Sequence, residues 1–357
     1  MIKSTLQHEK LTDQLWDELT KLSPGEKFLS IREIMKRYSV SQLTVEKALM
    51  RFREDGYLNN QSGKGLFASD LVKRFNQTIK PTYLLVVPQW VSVDIDVLEE
   101  TVREVKNKYS DKRLLVHKFD VSSNVPVQLP LMEENVEGII LLPAAGELSL
   151  SDLNTIKSYS CPTVILGRHL NSVGFKCVGT DDTFSGNLAA HHLISNGHDR
   201  IAVLVSEPHN RIILDRVKAI QDYAELRNVK VDIIDCEVKS GEYAMEKAYR
   251  KFCKVLKGGY DFTAVAGISG ESMQGAVNAC LNNGVKIPDD LSFVAIAAEK
   301  LTATMYPQID AVAVCLDLQV EKALEVLDSE INGLDGDSRD DFVRPYVIER
   351  GSTRKLN

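Results

Sequence analysis

The sequence predicts an α/β chain in two unequal parts: a small head of three helices closed by a hairpin, and a large body of doubly wound parallel sheets in two lobes. Three observations predict it. Leucines recur at helical spacing near the start of the chain, and two further short helical patterns follow them. Beyond residue 82, short apolar β-rich runs alternate with stretches of helical length. The charge is also divided: residues 1–75 hold 13 Lys and Arg against 10 Asp and Glu, a net of +3, so the remainder carries −10 of the overall −7.

In the head, Leu11, Leu15, Leu19 and Leu22 share one helical face with Trp16 beside it. "SPGEKF" (23–28) is a Pro-Gly turn. Ser30 caps a second helix over 30–38, with Glu33 completing a capping box and Ile31, Ile34 and Met35 turned inward. A third helix starts near Ser41, buries Val45, Leu49 and Phe52, and leaves Gln42, Thr44, Lys47 and Arg51 largely outside. Gly56 stops it, and "YLNN" and "GLFAS" flank "QSGKG" as a hairpin. This order is a winged helix-turn-helix, whose third helix is the natural reader of a major groove. A helical protein–protein module with a solvated charged face fits the same pattern.

Residues 71–81, polar and ended by proline, read as a linker. In the body, "TYLLVV" (82–87), "RLLVHKF" (113–119), "EGIILLP" (137–143), "PTVILG" (162–167), "RIAVLVS" (200–206), "VDIID" (231–235), "FTAVAGI" (262–268) and "LSFVAIA" (291–297) are the strand candidates. Helices are expected over 96–108, 183–196, 212–227, 242–257 and 271–283. Eight strands are too many for one typical sheet, so two lobes are expected, with a ligand cleft at the carboxyl ends of their strands.

Several function classes are disfavoured. No apolar run approaches the roughly 20 residues that cross a bilayer, and the first residues lack the apolar stretch of a secretory signal, so a cytoplasmic protein with no membrane partner is expected. The six cysteines are scattered without metal-like spacing, and His191 and His192 are adjacent rather than one turn apart, so no metal is expected. "ISGESMQGA" (268–276) invites comparison with a nucleophile elbow, yet Gln274 stands where the second glycine belongs. "QSGKG" lacks the spacing of a phosphate loop and is followed by a strand. Neither a catalytic set nor a cofactor is expected.

The stretch "PGEKFLSIREIMKRYSVSQLTVEKALMRFREDGYLNNQSGKGLFAS" resembles the GntR-type winged helix-turn-helix through Pro24-Gly25, Ser30, Arg32, Val40-Ser41, Thr44-Val45, Ala48-Leu49, Gly56, Gly63 and Gly65. The body resembles the periplasmic-binding-protein-like sensor of LacI/GalR-type repressors through "VGTDDTFSGNLAAHHLISNGHDRIAVL", "VEGIILLP", "CPTVILGR" and "IPDDLSFVAI". Together they resemble the arabinose-repressor class of regulators.

The resemblance implies a DNA-binding head over 1–70 and an effector-binding, dimerising body over 82–357. Its N-lobe would comprise about 82–182 and 310–337, and its C-lobe about 183–309 and 338–357. Ser30, Arg32, Ser41, Gln42, Thr44, Lys47, Arg51, Gly63 and Lys64 are then the DNA-contacting candidates, with Gln42 and Thr44 reading bases and Glu46 either accepting from a cytosine amino group or pairing with a neighbouring Arg or Lys. Gln89, Trp90, Asp181, Phe184, Arg216 and Ser269 are the effector candidates. Sugar-responsive members carry polar pairs where this chain has Ser269-Gly270 and Ala297-Ala298. An effector less sugar-like than usual is therefore expected, the other readings being a sensor that has lost ligand binding or a cytoplasmic small-molecule-binding protein. The implied protein is a homodimeric repressor on a pseudo-palindromic operator.

Overall fold

The computed structural model describes residues 2–61, 64–72, 80–89, 92–131, 134–239, 242–334 and 341–356. The head comprises α1 (Ile2–Leu19), α2 (Ile31–Tyr38), α3 (Gln42–Glu54) and an antiparallel hairpin of β1 (Leu58–Gln61) and β2 (Gly65–Ala68). Leu11, Leu15 and Leu19 recur every fourth residue, so α1 lays one apolar stripe on Ile34 of α2 and on Val45, Leu49 and Phe52 of α3. Trp16 adds ring contacts to Phe52 at 5.5 Å and, edge-on, to Tyr57 at 4.7 Å.

The capping box forms as expected: Glu33 N donates to Ser30 Oγ, and Ser30 N donates to Glu33 Oε2 at 2.7 Å. The hairpin pairs Leu58 with Ala68 and Gln61 with Gly65. The Pro-Gly turn then covers its outer strand, since Gly25 N reaches Ala68 O and Phe28 N reaches Leu66 O, both at 2.8 Å. Most of the expected linker, residues 73–79, lies outside the described residues.

The body forms a separate unit with two six-stranded sheets. The first sheet uses β3 (Thr82–Pro88), β4 (Arg113–Phe119), β5 (Val136–Leu141), β6 (Thr163–Leu166), β7 (Lys176–Thr180) and β13 (Asp341–Val343), in the order β13-β7-β6-β5-β3-β4. The second uses β8 (Arg200–Val205), β9 (Lys230–Asp235), β10 (Ala264–Gly267), β11 (Ser292–Ile296), β12 (Asp310–Ala313) and β14 (Tyr346–Ile348), in the order β14-β12-β11-β10-β8-β9. Pairing is parallel throughout except between β12 and β14.

Helices α4 (Val93–Val105), α5 (Leu150–Lys157) and α11 (Leu316–Ile331) belong to the first lobe. Helices α6 (Asp182–Ser195), α7 (Arg211–Glu225), α8 (Ala244–Gly258), α9 (Gly270–Asn282) and α10 (Glu299–Thr302) belong to the second. Covering a sheet on both faces requires apolar residues at every strand position, and β3 is buried along its whole length. The second lobe accordingly holds two cores, one against α6 and α7 and one against α8 and α9.

The expected lobe boundaries need correction in two places. Residues 310–313, assigned to the first lobe, form β12 in the second sheet, because parallel pairing with β11 buries them completely. Residues 341–343, assigned to the second lobe, form β13 beside β7 in the first. Among the described residues the chain thus crosses between lobes at 181, 314–315 and 344–345. The first two crossings are stitched together: buried Gln319 Nε2 donates to Thr180 Oγ1 (2.8 Å) and Val314 O (2.7 Å), and Thr180 Oγ1 donates to the same carbonyl (2.9 Å).

Candidate functional site

The head presents one polar helix and one basic hairpin to solvent. Ser41 caps α3, accepting from Thr44 N at 3.2 Å, and its hydroxyl lies 2.8 Å from Thr44 Oγ1. Gln42, Lys47 and Arg51 are exposed along α3, as are Arg32 on α2 and Lys64 at the hairpin turn. Lys64 N donates to Gln61 O at 2.9 Å, which closes that turn, while Gly63 lies outside the described residues. Ser30 is engaged as a helix cap.

Glu46 does not pair with a neighbouring Arg or Lys as expected. It accepts from Gln42 Nε2 at 2.7 Å, because a residue four positions earlier on a helix is the nearest polar partner. Leu43, a residue the sequence reading passed over, is 64% exposed in the first turn of α3. An apolar group there suits contact with a thymine methyl.

In the body, Arg216 is the charged centre of the cleft. Its Nε donates to Asp182 Oδ1 at 2.8 Å and its Nη1 to Ile268 O at 3.0 Å, with both side chains nearly buried. Gly186 makes this possible. A Cβ at that position would stand 2.5 Å from Arg216 O and 2.8 Å from Ala219 Cβ, so only glycine lets α7 lie this close to α6.

Asp181, the expected effector ligand, is instead an exposed cap that accepts from Phe184 N at 2.8 Å. The adjacent Asp182 is the one turned inward, since the first helical position points back across the helix end. Phe184 lies half-buried beneath the Arg344 guanidinium, 5.4 Å from its ring centre, and so faces the third crossing between the lobes. Gln89 is exposed after β3, with its N–H donating to Phe119 O. Trp90 lies outside the described residues. Ser269 hydrogen-bonds the Glu207 carboxyl.

Three carboxylates that the sequence reading missed converge on the same strand ends. Asp94 stands in the first turn of α4, Glu207 follows β8, and Glu271 opens α9. Burial pushes Asp94 up to about 7, with Glu271, Glu299 and Glu207 adding repulsion and Arg216 opposing them. Glu207 is likewise raised to about 6, chiefly by burial. Burial also lowers the Arg168 guanidinium, partly offset by Glu147 and Asp182.

Contacts that bridge the lobes on the cleft side include Ser92 Oγ to Glu271 Oε2 (3.0 Å), Asn210 Nδ2 to Ala145 O (3.0 Å), Arg211 N to Glu147 Oε1 (2.9 Å) and Lys300 Nζ to Glu100 Oε2 (2.9 Å). A cavity of about 420 Å³ opens beside the Asn210 and Arg211 contacts, lined by Glu147, Arg168, His169, Asn210 and Arg211 among others, while Asp94, Glu207, Glu271 and Arg216 lie outside its lining. A larger hollow of about 520 Å³ lies between α8 and α9, away from the strand ends and without converging charges.

The departures from a sugar-type pocket are coupled. Gly270 packs on Ala297, where a Cβ would stand 2.3 Å from the carbonyl oxygen, and Ala297 and Ala298 both adopt positive φ. A polar side chain at 270 has no room in this arrangement. The elbow-like Ser272 is buried and hydrogen-bonds Ser206 Oγ and Ser269 O, which places no base against it. The adjacent histidines separate: His192 Nε2 lies 2.8 Å from Asp310 Oδ2 in the core, and His191 Nδ1 lies 2.8 Å from Tyr223 Oη outside it. Among the described residues no group of three or more His, Cys, Asp or Glu is placed to hold a metal ion, and no helix is long and apolar enough to cross a membrane.

Residues 190–353 match the model of the periplasmic binding protein-like domain. The transcriptional regulator GalR of Streptococcus thermophilus is 21% identical over 318 residues, covering 85% of this chain and 92% of that protein. The arabinose metabolism transcriptional repressor of Geobacillus stearothermophilus is 26% identical over 371 residues, covering 96% and 95%. A LacI family transcriptional regulator from Enterococcus faecium, solved with bound ribose, superposes with a TM-score of 0.64 at 20% identity, covering 77% of this chain and all of that one.

These comparisons correct the GntR-type assignment of the head. The family they point to is LacI/GalR, so the hairpin is kept as geometry and not as a family mark. The body is an α/β, two-lobed periplasmic-binding-protein-like domain of parallel sheets, and the chain is similar to LacI/GalR-type regulators.

Proposed function

We propose that the protein is a sequence-specific DNA-binding repressor controlled by a small molecule, a sugar or related metabolite, held between the lobes of its body. The single observation that carries this reading is the pairing, in one chain, of an exposed polar helix on a helix-turn-helix head with a charged cleft at the strand ends of a two-lobed body. The protein acts in the cytoplasm as a homodimer, with two heads on half-sites of a pseudo-palindrome and no catalytic step.

In the head, Gln42 and Thr44 read base edges, Leu43 meets a methyl group, and Arg32, Lys47, Arg51 and Lys64 contact phosphates, with Ser30 and Ser41 beside them. The Gln42–Glu46 hydrogen bond fixes the amide before contact and lowers the ordering cost of reading adenine. In the cleft, Arg216 and Asp182 orient the ligand, with Ser269, Gln89 and Phe184 around it. The ligand shifts operator affinity by its differential affinity for the two lobe arrangements.

Binding-site selection from random duplexes followed by mobility-shift titration tests the reading. A defined palindromic site is expected. Lys64→Ala weakens binding across sequences and reduces the salt slope by about one, whereas Gln42→Ala relaxes base choice at one position of each half-site. Absence of any DNA binding by the full chain at low salt sinks the reading. The close Gly270–Ala297 contact favours a second reading, a body that no longer takes a ligand. A thermal-shift screen that stays flat across sugars, sugar phosphates and amines supports it.

A further inference from the structure

The cleft holds more negative charge than its own residues neutralise. Asp94, Glu207 and Glu271 come from the ends of three different strands and from both lobes. Asp94 faces Glu271 on α9, Glu299 on α10 and Glu207 after β8, with Arg216 on α7 as its opposing cation. That arginine is already committed to Asp182 and to the Ile268 carbonyl. Glu271 accepts from Ser92 Oγ and from the Val93 N–H, and Asp96 adds repulsion to it.

One oxygen of the cluster has no partner. Asp94 Oδ1 is inaccessible to solvent and accepts no hydrogen bond. The helix start gives its carboxylate a favourable dipole but supplies no donor to that atom. Buried polar atoms are paired in native proteins almost without exception, so an orphaned carboxylate oxygen among three other acids marks an incomplete site. The missing element is a donor carrying positive charge. The carboxylates are not grouped as metal ligands among the described residues, whereas an ammonium directs three separate N–H bonds to three separate acceptors.

We propose that the interlobe cleft binds a small organic amine, with its ammonium seated between Asp94 of one lobe and Glu271 of the other and Glu207 beside them. The inference rests on the reading of this cleft as the effector site and names the chemical class of the effector. Ser92 and Ser269, adjoining Glu271 and Glu207, supply neutral hydrogen bonds to the rest of the molecule. Because the acids come from opposite lobes, the bound amine favours the arrangement in which they face each other.

The test uses the full-length protein at pH 8, with D-glucosamine, D-galactosamine and spermidine as amine probes and D-glucose and D-galactose as neutral counterparts. Thermal unfolding and titration calorimetry are read for wild type, Asp94→Asn and Glu271→Gln. At least one amino sugar is expected to bind ten-fold or more tightly than its neutral counterpart, or spermidine to bind where both neutral sugars do not. Each variant loses that preference by ten-fold or more. Without ligand, Asp94→Asn unfolds at a higher temperature than wild type at pH 8, and the gap closes toward pH 4, where Asp94 is neutral in either state.

Binding of neutral sugars with no preference for amines overturns the proposal and leaves the effector reading intact. No binding by any probe overturns it as well, as does an Asp94→Asn protein that keeps the amine preference. Amine binding that leaves operator affinity unchanged supports the proposal and instead removes the effector reading.

Discussion

Two aspartates in the body, Asp310 buried and Asp94 half-buried with one oxygen shut off from solvent, have opposite surroundings. Asp310 lies in the second lobe, where its Oδ1 accepts from the N–H groups of Arg350 (2.6 Å), Gly351 (2.9 Å) and Ser352 (3.2 Å), and its Oδ2 lies 2.8 Å from His192 Nε2. Burial alone would raise it, yet hydrogen bonds from His192, the Arg350 and Ser352 N–H groups and Thr353 hold it at about 2. Asp94 is raised to about 7, first by burial and then by three acidic neighbours, and keeps an oxygen with no donor. The same residue type builds structure where donors surround it and stores strain where acids do. The first arrangement clamps residues 350–353 to the end of the second sheet, and the second waits for something from outside.

The comparison breaks most decisively at Asp310. Asp310→Ala should cost about 3–5 kcal/mol in urea unfolding, because three N–H groups and an imidazole lose their acceptor in the core. A loss below about 1 kcal/mol would mean that the donors do not separate the two sites. Arg216→Met tests the intermediate case, a buried acid with one strong partner. It should cost about 2–3 kcal/mol by stranding Asp182, less than the full value for a broken buried pair because His169 Nε2 remains 3.5 Å away. Adding Asp182→Asn should restore most of that loss, and failure to do so would show that packing rather than charge holds α7 in place.

The pH dependence separates the two aspartates without mutation. Asp310 has a depressed pKa, so its contribution of about 2 kcal/mol is present above pH 4 and is lost as pH falls toward 2. Asp94 has a raised pKa, so its penalty is absent below about pH 4 and grows until pH 7. Asp94→Asn is therefore expected to stabilise the unliganded protein at pH 8, by up to about 4 kcal/mol where the whole shift is relieved, and by almost nothing at pH 4. A flat difference across that range would show that Asp94 does not titrate between those limits.

Much of the body was legible because parallel strands buried on both faces must be short apolar runs. All eight expected runs contain strands, with ends shifted by no more than two residues. The four strands not anticipated are brief: "KCVGT", "DAVA", "DFV" and "YVI" carry too few side chains to display a period. Helix α11 was readable in principle, since Val320, Ala323, Leu324 and Leu327 recur at helical spacing and are buried.

The cleft was harder to read. Arg216 was reached through resemblance, but Asp94 sits in "VDIDVLEE", whose acids look like the solvated face of an amphipathic helix. Nothing local distinguishes Asp94 from the exposed Asp96 and Glu100. What buries it is the second lobe, nearly 180 residues later in the chain, through Glu271 and the loop around Glu207. Periodicity reports which side of an element is covered, and a site between two lobes is covered by neither element's own sheet.

The stitched crossings also set the mechanics of the body. Crossings at 181 and 314–315 are fastened to each other by Gln319 and Thr180, and the third runs alongside, since Val343 pairs with Thr180 and Tyr346 with Ala313. Three adjacent tethers behave as a leaf spring: stiff to torsion and shear, soft to flexion about one line. The second lobe then has a single compliant coordinate, along which displacement grows in proportion to distance from the spring. A ligand acting on that coordinate does little near Gln319 and most at the far rim, and loosening the spring by Gln319→Ala would spread the same force over motions that transmit nothing.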